Sequence, residues 1–445
     1  MAGYSSQMKQ HIRKITLFSV LIPLLILGIS PKVIGTGIQD ATIESLINFI
    51  PPEAESQLEI RQSVFHNGWF SSQAEVEVLY TPPGMDSISL QLVFDISHGP
   101  LLITPRGPKA GLAYASIVPS ISSDAFKNAI AELPFALPTI SLDLLASFDQ
   151  SIEIGLDIAP LTYSDPDGEV SFNGLSGTFI VNSDLSAEFS LLMGGLAATE
   201  NGENTDINIS GMEIRSTTAQ LNNILAPSEA QLIIPLISSN APVPFSVSDI
   251  TTTYGLLASE TDEIAIFQNL KINEISSTLP VNSLLWNSEI EEINSELFKY
   301  YYQLAAELQN EMSANPEAVT ARISQLGQEL ALAAVQNKLV VNNFVQTNAY
   351  DGDHELDLQI RWNGLPELRN IMGVDIKEAL NALTVDLELS LNLEAIMRSP
   401  IANLVDPYVQ QGYIEINNGL ILVKGNLLNG LLTFNGNEMP LDQFF

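Results

Sequence analysis

The chain has 445 residues, 46% of them apolar, 18 Lys and Arg against 52 Asp and Glu for a formal net charge of −34, and no cysteine. The missing cysteine excludes disulfides, thiolate-ligated metals and thiol nucleophiles. A surface this acidic repels nucleic acid and anionic lipid headgroups.

The N-terminus departs from that balance. Lys9, Arg13 and Lys14 precede ITLFSVLIPLLILGISP, which carries no charge, and Lys32 follows it. About 17 to 20 helical residues cross a bilayer core, and basic residues ahead of such a segment keep its N-terminus in the cytoplasm. The expectation is a basic tail over 1–14, a transmembrane signal-anchor over 15–35 and an exported region over 36–445. A cleaved signal peptide is the alternative, although no small-x-small cleavage pattern closes the apolar run. Both readings export the chain from about residue 36.

Strand signals dominate the exported part. HNGWFSSQA at 66–74 opens on a turn at Asn67-Gly68 and is expected to start a strand at Trp69 and Phe70. That strand continues as AEVEVLY, with Ala74, Val76, Val78 and Tyr80 on one face. In SISLQLVFDIS, Ile88, Leu90, Leu92, Phe94 and Ile96 alternate with polar residues, giving the antiparallel partner after the turn TPPGMD. Period two implies one apolar and one polar face, which suits antiparallel sheet. His98-Gly99-Pro100 ends the partner, because proline cannot extend a central ladder. The pairing brings Trp69 and His98 to one end of one hairpin. It predicts a Trp–His contact joined by a serine hydroxyl, with Trp69 buried in a structural corner and a ligand site as the rival reading.

SIEIGLDI, TDINISGMEI, HELDLQIRW and TVDLELSLNLE repeat the same alternation, whereas TYSDPDGE at 162–169 and ATENGENTD at 198–206 read as exposed loops. The main helical pattern lies between about 283 and 342. There NSEIEEINSELFKYYYQLAAELQNEM sets Ile290, Ile293, Leu297 and Tyr301 on one side, Ser288 with Glu291 has capping-box spacing, and Asn315-Pro316 precedes a second helix. Shorter helices are expected at 119–132, 216–226, 374–383 and 394–410. At the C-terminus, Asn418-Gly419, Asn429-Gly430 and Asn435-Gly436 interrupt apolar runs, the pattern of tight hairpins.

Chemistry is thinly marked. The four histidines are His11, His66, His98 and His354, and no two have metal-ligand spacing on one helix. His354, in YDGDHELDL, reads as a solvated turn rather than a metal or proton site. Asp165, Asp167 and Glu169 resemble half of a calcium loop, but the late bidentate Glu is missing, so a turn is expected. Asn208-Ile209-Ser210 fits a short glycosylation pattern that chance often supplies. No nucleophile elbow, phosphate-binding loop or dinucleotide fingerprint is present. No catalytic residue, metal site or cofactor is assigned.

HNGWFSSQAEVEV resembles the early Gly-Trp/Phe-x-Ser motif of the YdgA family of bacterial proteins of unknown function. FDISHGPLL resembles that family's His-Gly-Pro motif, and GYIEINNGLILVKGNLLNGLLTFNGNEMPL its closing hairpins. The motif positions are Gly68, Trp69, Ser72, His98, Gly99 and Pro100, and the resemblance brings no catalytic role with them. It implies a membrane-anchored envelope protein: single-pass in the bacterial inner membrane, with the C-terminal region in the periplasm.

The expected fold is α+β and β-dominated: an elongated, curved antiparallel sheet with covering helices, preceded by one N-terminal transmembrane helix. A sheet with one apolar face must bury it, and incomplete cover leaves room for lipid chains. The expected function is a non-enzymatic envelope protein that scaffolds or handles apolar (lipid) ligands. The alternatives are a protein–protein interaction partner without a ligand, either self-associating or binding another envelope protein, and a hydrolase with an unrecognised site. No nucleic-acid partner is expected.

Overall fold

A computed structural model of the chain describes residues 58–80, 88–105, 107–121, 136–166, 168–200, 205–240, 243–258, 262–300 and 327–439. The expected anchor over 15–35, the Asn315-Pro316 break and most of the helix expected at 119–132 lie outside them. No helix among the described residues is long and apolar enough to cross a membrane. The structure is β-dominated, with large-scale antiparallel pairing and few helices. It divides into two compact units, one over 1–159 with 177–183 and the other over 160–176 with 184–445.

The first unit holds β1 (Leu58–Asn67), β2 (Ser71–Tyr80), β3 (Ile88–His98), β4 (Leu101–Thr104), β5 (Gly107–Ala110), β6 (Ala113–Ile121), β7 (Ile140–Ala146) and β8 (Ile152–Ile158). Strands β1, β2, β3, β6, β7 and β8 lie side by side in that order, all antiparallel. The β4–β5 hairpin is a separate small ladder inserted between β3 and β6. The expected alternation decides what is buried. Ala74 and Val76, Phe94 and Ile96, and Ala113, Ala115 and Ile117 share one face and form a core. On the other face Leu102 of β4 is fully buried with Tyr114 and Leu145.

The chain continues with β9 (Leu161–Ser164), β10 (Gly168–Phe172), β11 (Leu175–Val181), β12 (Ala187–Met193), β13 (Leu196–Glu200), β14 (Thr205–Ile209) and β15 (Met212–Thr218), all in the second unit except most of β11, which belongs to the first. A long meander follows: β16 (Ser228–Ser239), β17 (Phe245–Ala258), β18 (Glu263–Ser276), β19 (Val281–Asn294), β20 (Leu339–Ala349), β21 (Gly352–Trp362) and β22 (Leu383–Asn392). Each pairs antiparallel with the next. TDINISGMEI is interrupted at Ser210-Gly211, so β14 and β15 pair with different parts of β16.

The chain closes with β23 (Glu415–Asn417), β24 (Leu420–Leu428), β25 (Leu431–Phe434) and β26 (Asn437–Met439), β24 lying against β22. The three Asn-Gly pairs are the two-residue links β23–β24, β24–β25 and β25–β26. Their φ values are 50° and 78°, 51° and 75°, and 47° and 81°, the positive pair that such turns require.

The helices differ from expectation in instructive ways. The segment from 283 is strand β19, and the helix α1 begins only at 295, described to 300. Ser288 and Glu291 are strand residues opposite Gln268 and Val340. The N-cap is instead Asn294, whose Oδ1 accepts the Leu297 N–H at 2.9 Å. A β-bulge misled the periodicity. Ile290 pairs with Ile266 and Ile293 with Ile264, three residues against two, and Glu292 within the bulge has φ 58°. The bulge therefore puts Ile290 and Ile293 on one face, imitating helical spacing.

The second helix exists as α2 over 327–336. No helix forms at 216–226, where β15 runs to Thr218 and turns follow. Thr218 Oγ1 and Asn223 Oδ1 accept the N–H groups of Gln220 and Leu225, local bonds that compete with a helix. The last two expected helices form as α3 (Ile376–Ala382) and the pair α4 (Leu393–Arg398) and α5 (Ala402–Gln410), split around Ser399-Pro400. The loop expected at 162–169 is only the tight turn between β9 and β10.

A Cβ added at Gly419 meets nothing within 4 Å, so backbone strain alone opposes it. Gly419→Ala is therefore expected to lower unfolding stability by roughly 1–2 kcal/mol, the cost of a left-handed L-residue. A shifted urea midpoint with unchanged slope checks this.

Candidate functional site

The stretch HNGWFSSQA folds into the β1–β2 connection. Asn67 pairs with Ser72, and the Gly68 N–H donates to the Ser71 carbonyl at 2.8 Å. β2 begins at Ser71, two residues later than the sequence suggests, so Trp69 and Phe70 belong to the loop. Their side chains are 52% and 60% exposed, which corrects the expectation of a buried Trp69. His98 reaches this loop from the end of β3. Its backbone N–H donates to the Phe70 carbonyl at 2.9 Å. Nε2 lies 2.9 Å from Ser72 Oγ, and Nδ1 lies 3.4 Å from the Trp69 carbonyl oxygen. The Trp–His contact thus runs through the tryptophan backbone, not its ring.

A carbonyl only accepts, so a hydrogen on Nδ1 serves the Trp69 oxygen and leaves Nε2 to accept from the Ser72 hydroxyl. Ser72 and His98 are each 3% exposed and share the face of the apolar core at its loop end. The two glycines are fixed sterically. A Cβ on Gly68 would lie 2.5 Å from the Ser71 oxygen, and one on Gly99 only 1.7 Å from the Gly111 oxygen. Gly99 donates to the Leu112 carbonyl at 2.7 Å, and the cis Gly99–Pro100 bond leads into β4.

A serine hydroxyl bonded to imidazole is the pairing of a nucleophile and its base. Here the hydroxyl is buried, and Nδ1 faces the Trp69 backbone carbonyl. The arrangement ties the β1–β2 loop to the end of β3.

His354 is buried, which corrects the solvated-turn reading. Its Nε2 lies 3.0 Å from the Ala349 carbonyl, while Nδ1 accepts the Asn392 N–H at 3.3 Å. The ring pins the β20–β21 turn to the junction of β22 with α4. His66 is exposed on β1. Asp165 closes the β9–β10 turn, its Oδ1 accepting the Gly168 N–H at 2.9 Å; Asp167 lies outside the described residues. Among the described residues no group of three or more His, Asp or Glu side chains is placed to hold a metal ion.

The meander presents an ordered surface. One cross-strand row reads Leu256, Ile266, Ile290, Val341, Ile360, Val385 and Leu427 over seven strands. A second row on the same face reads Leu270, Trp286, Val345, Leu356, Leu389 and Val423. Between them run Gln268, Ser288 and Asn343, and Asn343 Oδ1 accepts the Trp286 Nε1–H at 3.2 Å. Most of these apolar side chains on β18–β22 remain partly exposed. Among the described residues, α3 and α4 lie against β22, and α4 with α5 covers Ile421. The opposite face is polar, with a shallow depression of about 260 Å³ lined in part by Phe267, Asn287, Glu289 and Phe344. Burial, reinforced by Glu291, raises the Glu289 carboxyl above its ordinary range.

A family model described as "Bacterial protein of unknown function (DUF945)" matches residues 12–442. No curated protein and no solved structure matches the chain.

Three substitutions test the loop geometry. Ser72→Ala removes the hydroxyl facing buried Nε2 and is expected to cost about 1–3 kcal/mol. Gly99→Ala is expected to cost more, because its Cβ would overlap backbone. Trp69→Ala is expected to stay within about 0.5 kcal/mol of wild type, as at other exposed positions. Denaturant melts of the three variants check the order. Glu289 supplies a pH test. A carboxyl whose folded pKa is raised favours folding below its unfolded value, and that contribution is lost as pH rises through the folded value. Glu289→Gln is therefore expected to raise the melting temperature at neutral pH, and the gain should vanish below the ordinary value of 4.5.

Proposed function

We propose, for a chain that belongs to the DUF945 family of bacterial proteins of unknown function, a non-enzymatic role at the cell envelope. In this reading residues 15–35 anchor the protein in the inner membrane and residues 36–445 lie in the periplasm. The partly exposed apolar face of the meander handles lipid-type ligands. The Gly68-Trp69 and His98-Gly99-Pro100 motifs are the ground for narrowing the family further, to YdgA-type members.

One observation carries the ligand reading: apolar rows that cross seven strands in register. Six strand spacings make such a row roughly 29 Å long. A bilayer hydrocarbon core built from two opposed acyl chains is about 30 Å thick, so one extended chain fits within the row. The burial of the Ser72–His98 pair supports the non-enzymatic reading.

The test uses full-length protein in its own membrane with phospholipids carrying photoactivatable acyl chains. Crosslinks are expected in peptides from β18 to β22 as well as in residues 15–35. Crosslinks confined to 15–35 would remove the ligand role and leave a protein–protein function standing. A reporter active only after export, fused after Phe445, is expected to be active; activity of a cytoplasm-only reporter there would overturn the topology.

A further inference from the structure

The first unit concentrates exposed apolar side chains at one end. The register puts the β1–β2 loop, the inserted β4–β5 hairpin and the β7–β8 turn at the same end of the sheet, since His98 pairs with Ala113 and Ala113 with Ala146. These three connections carry Trp69 at 52% exposure, Phe70 at 60%, Leu101 at 62%, Ile103 at 83% and Phe148 at 52%. Single exposed hydrophobic residues are ordinary, but a group gathered on adjacent connections marks an interaction surface.

Each side chain is also held outward by a specific local structure. The Ser72–His98 bond and the Gly68 N–H bond fix the loop that presents Trp69 and Phe70. Leu102 of β4 is fully buried against Tyr114 and Leu145, and strand alternation then turns Leu101 and Ile103 away from the protein. In the β7–β8 turn, Ser147 N–H donates to the Ser151 carbonyl at 2.9 Å, and Asp149 Oδ1 accepts from Ser151 N and Oγ at 3.0 and 2.7 Å. That closure sets Phe148 at the tip.

Charge distinguishes this end from the rest of the chain. Residues 68–70 carry none, 99–112 carry Arg106 and Lys109 without an acid, and 147–151 carry only Asp149. Lys109 bridges to Glu153 at 3.2 Å. The end is thus close to neutral in a chain of net charge −34.

We infer that this end of the first unit seats on a lipid bilayer, with Trp69, Phe70, Leu101, Ile103 and Phe148 entering the headgroup–acyl boundary. Aromatic side chains favour that boundary, and a surface without excess negative charge approaches it without repulsion. The five side chains spread over about four strand spacings, roughly 19 Å, which makes a broad footing rather than a single wedge. The inference rests on the anchored reading for proximity to a membrane. Leu58 lies at the far end of β1, and residues 36–57 between it and the proposed anchor reach at most about 75 Å when extended. β1 itself is roughly 33 Å long. The connection is therefore long enough for the apolar end to face the same bilayer.

A chain without cysteine allows clean single-site labelling. Full-length Phe70→Cys, Ile103→Cys and Phe148→Cys, each carrying an environment-sensitive dye, are reconstituted into phosphatidylethanolamine–phosphatidylglycerol vesicles containing brominated acyl chains. Met372→Cys, at an 89% exposed position in the second unit, is the control. Quenching at the three test sites is expected to be several-fold stronger than at the control. Absence of that difference, in protein that resists carbonate extraction, would overturn the seating while leaving the anchor intact. Strong quenching in protein that carbonate removes would keep the seating and overturn the anchor. Dye shielding in lipid-free buffer that grows with protein concentration, without quenching in vesicles, would assign the surface to a second copy of the chain and reject the lipid.

Discussion

Registered antiparallel pairing is the constraint on which the rest of this protein depends. Because side chains alternate with period two, each in-register neighbour copies a strand's apolar face onto the next. That copying builds the compact core of the first unit from Val76, Phe94 and Ile117, and the seven-strand apolar row of the second. The same rule produces two different outcomes. In the first unit the apolar face is buried; in the second it stays largely half-exposed on β18–β22, with the described helices gathered at the β22 side.

The opposite, polar faces show how such an acidic chain folds at all. With 52 acids and only 18 bases, ion pairs cannot neutralise the carboxylates. Neutral donors across the strands serve them instead: Gln73 to Asp95 at 2.8 Å, Ser89 to Glu77 at 2.6 Å, Gln91 to Glu75 at 3.1 Å and Asn426 to Asp386 at 2.5 Å. Bonds to an ionised acceptor are the stronger kind, so an amide or hydroxyl opposite a carboxylate supports the ladder without adding positive charge. Where two acids do face each other, as Asp357 and Glu388, Lys424 reaches Glu388 from the next strand at 2.9 Å.

Much of this was legible in the sequence because alternation and Asn-Gly turns are local signals. The β2–β3 and β21–β22 strands and all three C-terminal hairpins follow from them directly. What failed were features set by the partner strand. The bulge at Glu291-Glu292 exists because β18 pairs two residues against three, and no single-strand pattern reports it. Trp69 was misplaced for a related reason: HNGWFSSQA fixes the presence of a turn, while Ser72 opposite Asn67 fixes its length. His354 looked solvated among aspartates, yet its burial depends on Asn392, 38 residues further on. The Ser72–His98 bond was foreseeable only once the hairpin register was assumed.

The Ser72–His98 pair forms a joint between the β1–β2 loop and the end of β3. Ser72 and His98 end the apolar core with a satisfied polar pair, and the same histidine holds two successive backbone carbonyls of the loop, those of Trp69 and Phe70. Gly99 lets the β3 end pass close against Gly111, which admits the β4–β5 hairpin beside that loop. Three features of the sequence that look independent, Gly-Trp, a serine three residues after the tryptophan and His-Gly-Pro, thus act on one small volume. Their joint effect is to keep Trp69 and Phe70 out of the core. A buried tryptophan would have stabilised the unit directly; here the buried polar pair holds the loop with Trp69 exposed instead, and the proposed membrane seating makes use of that exposure.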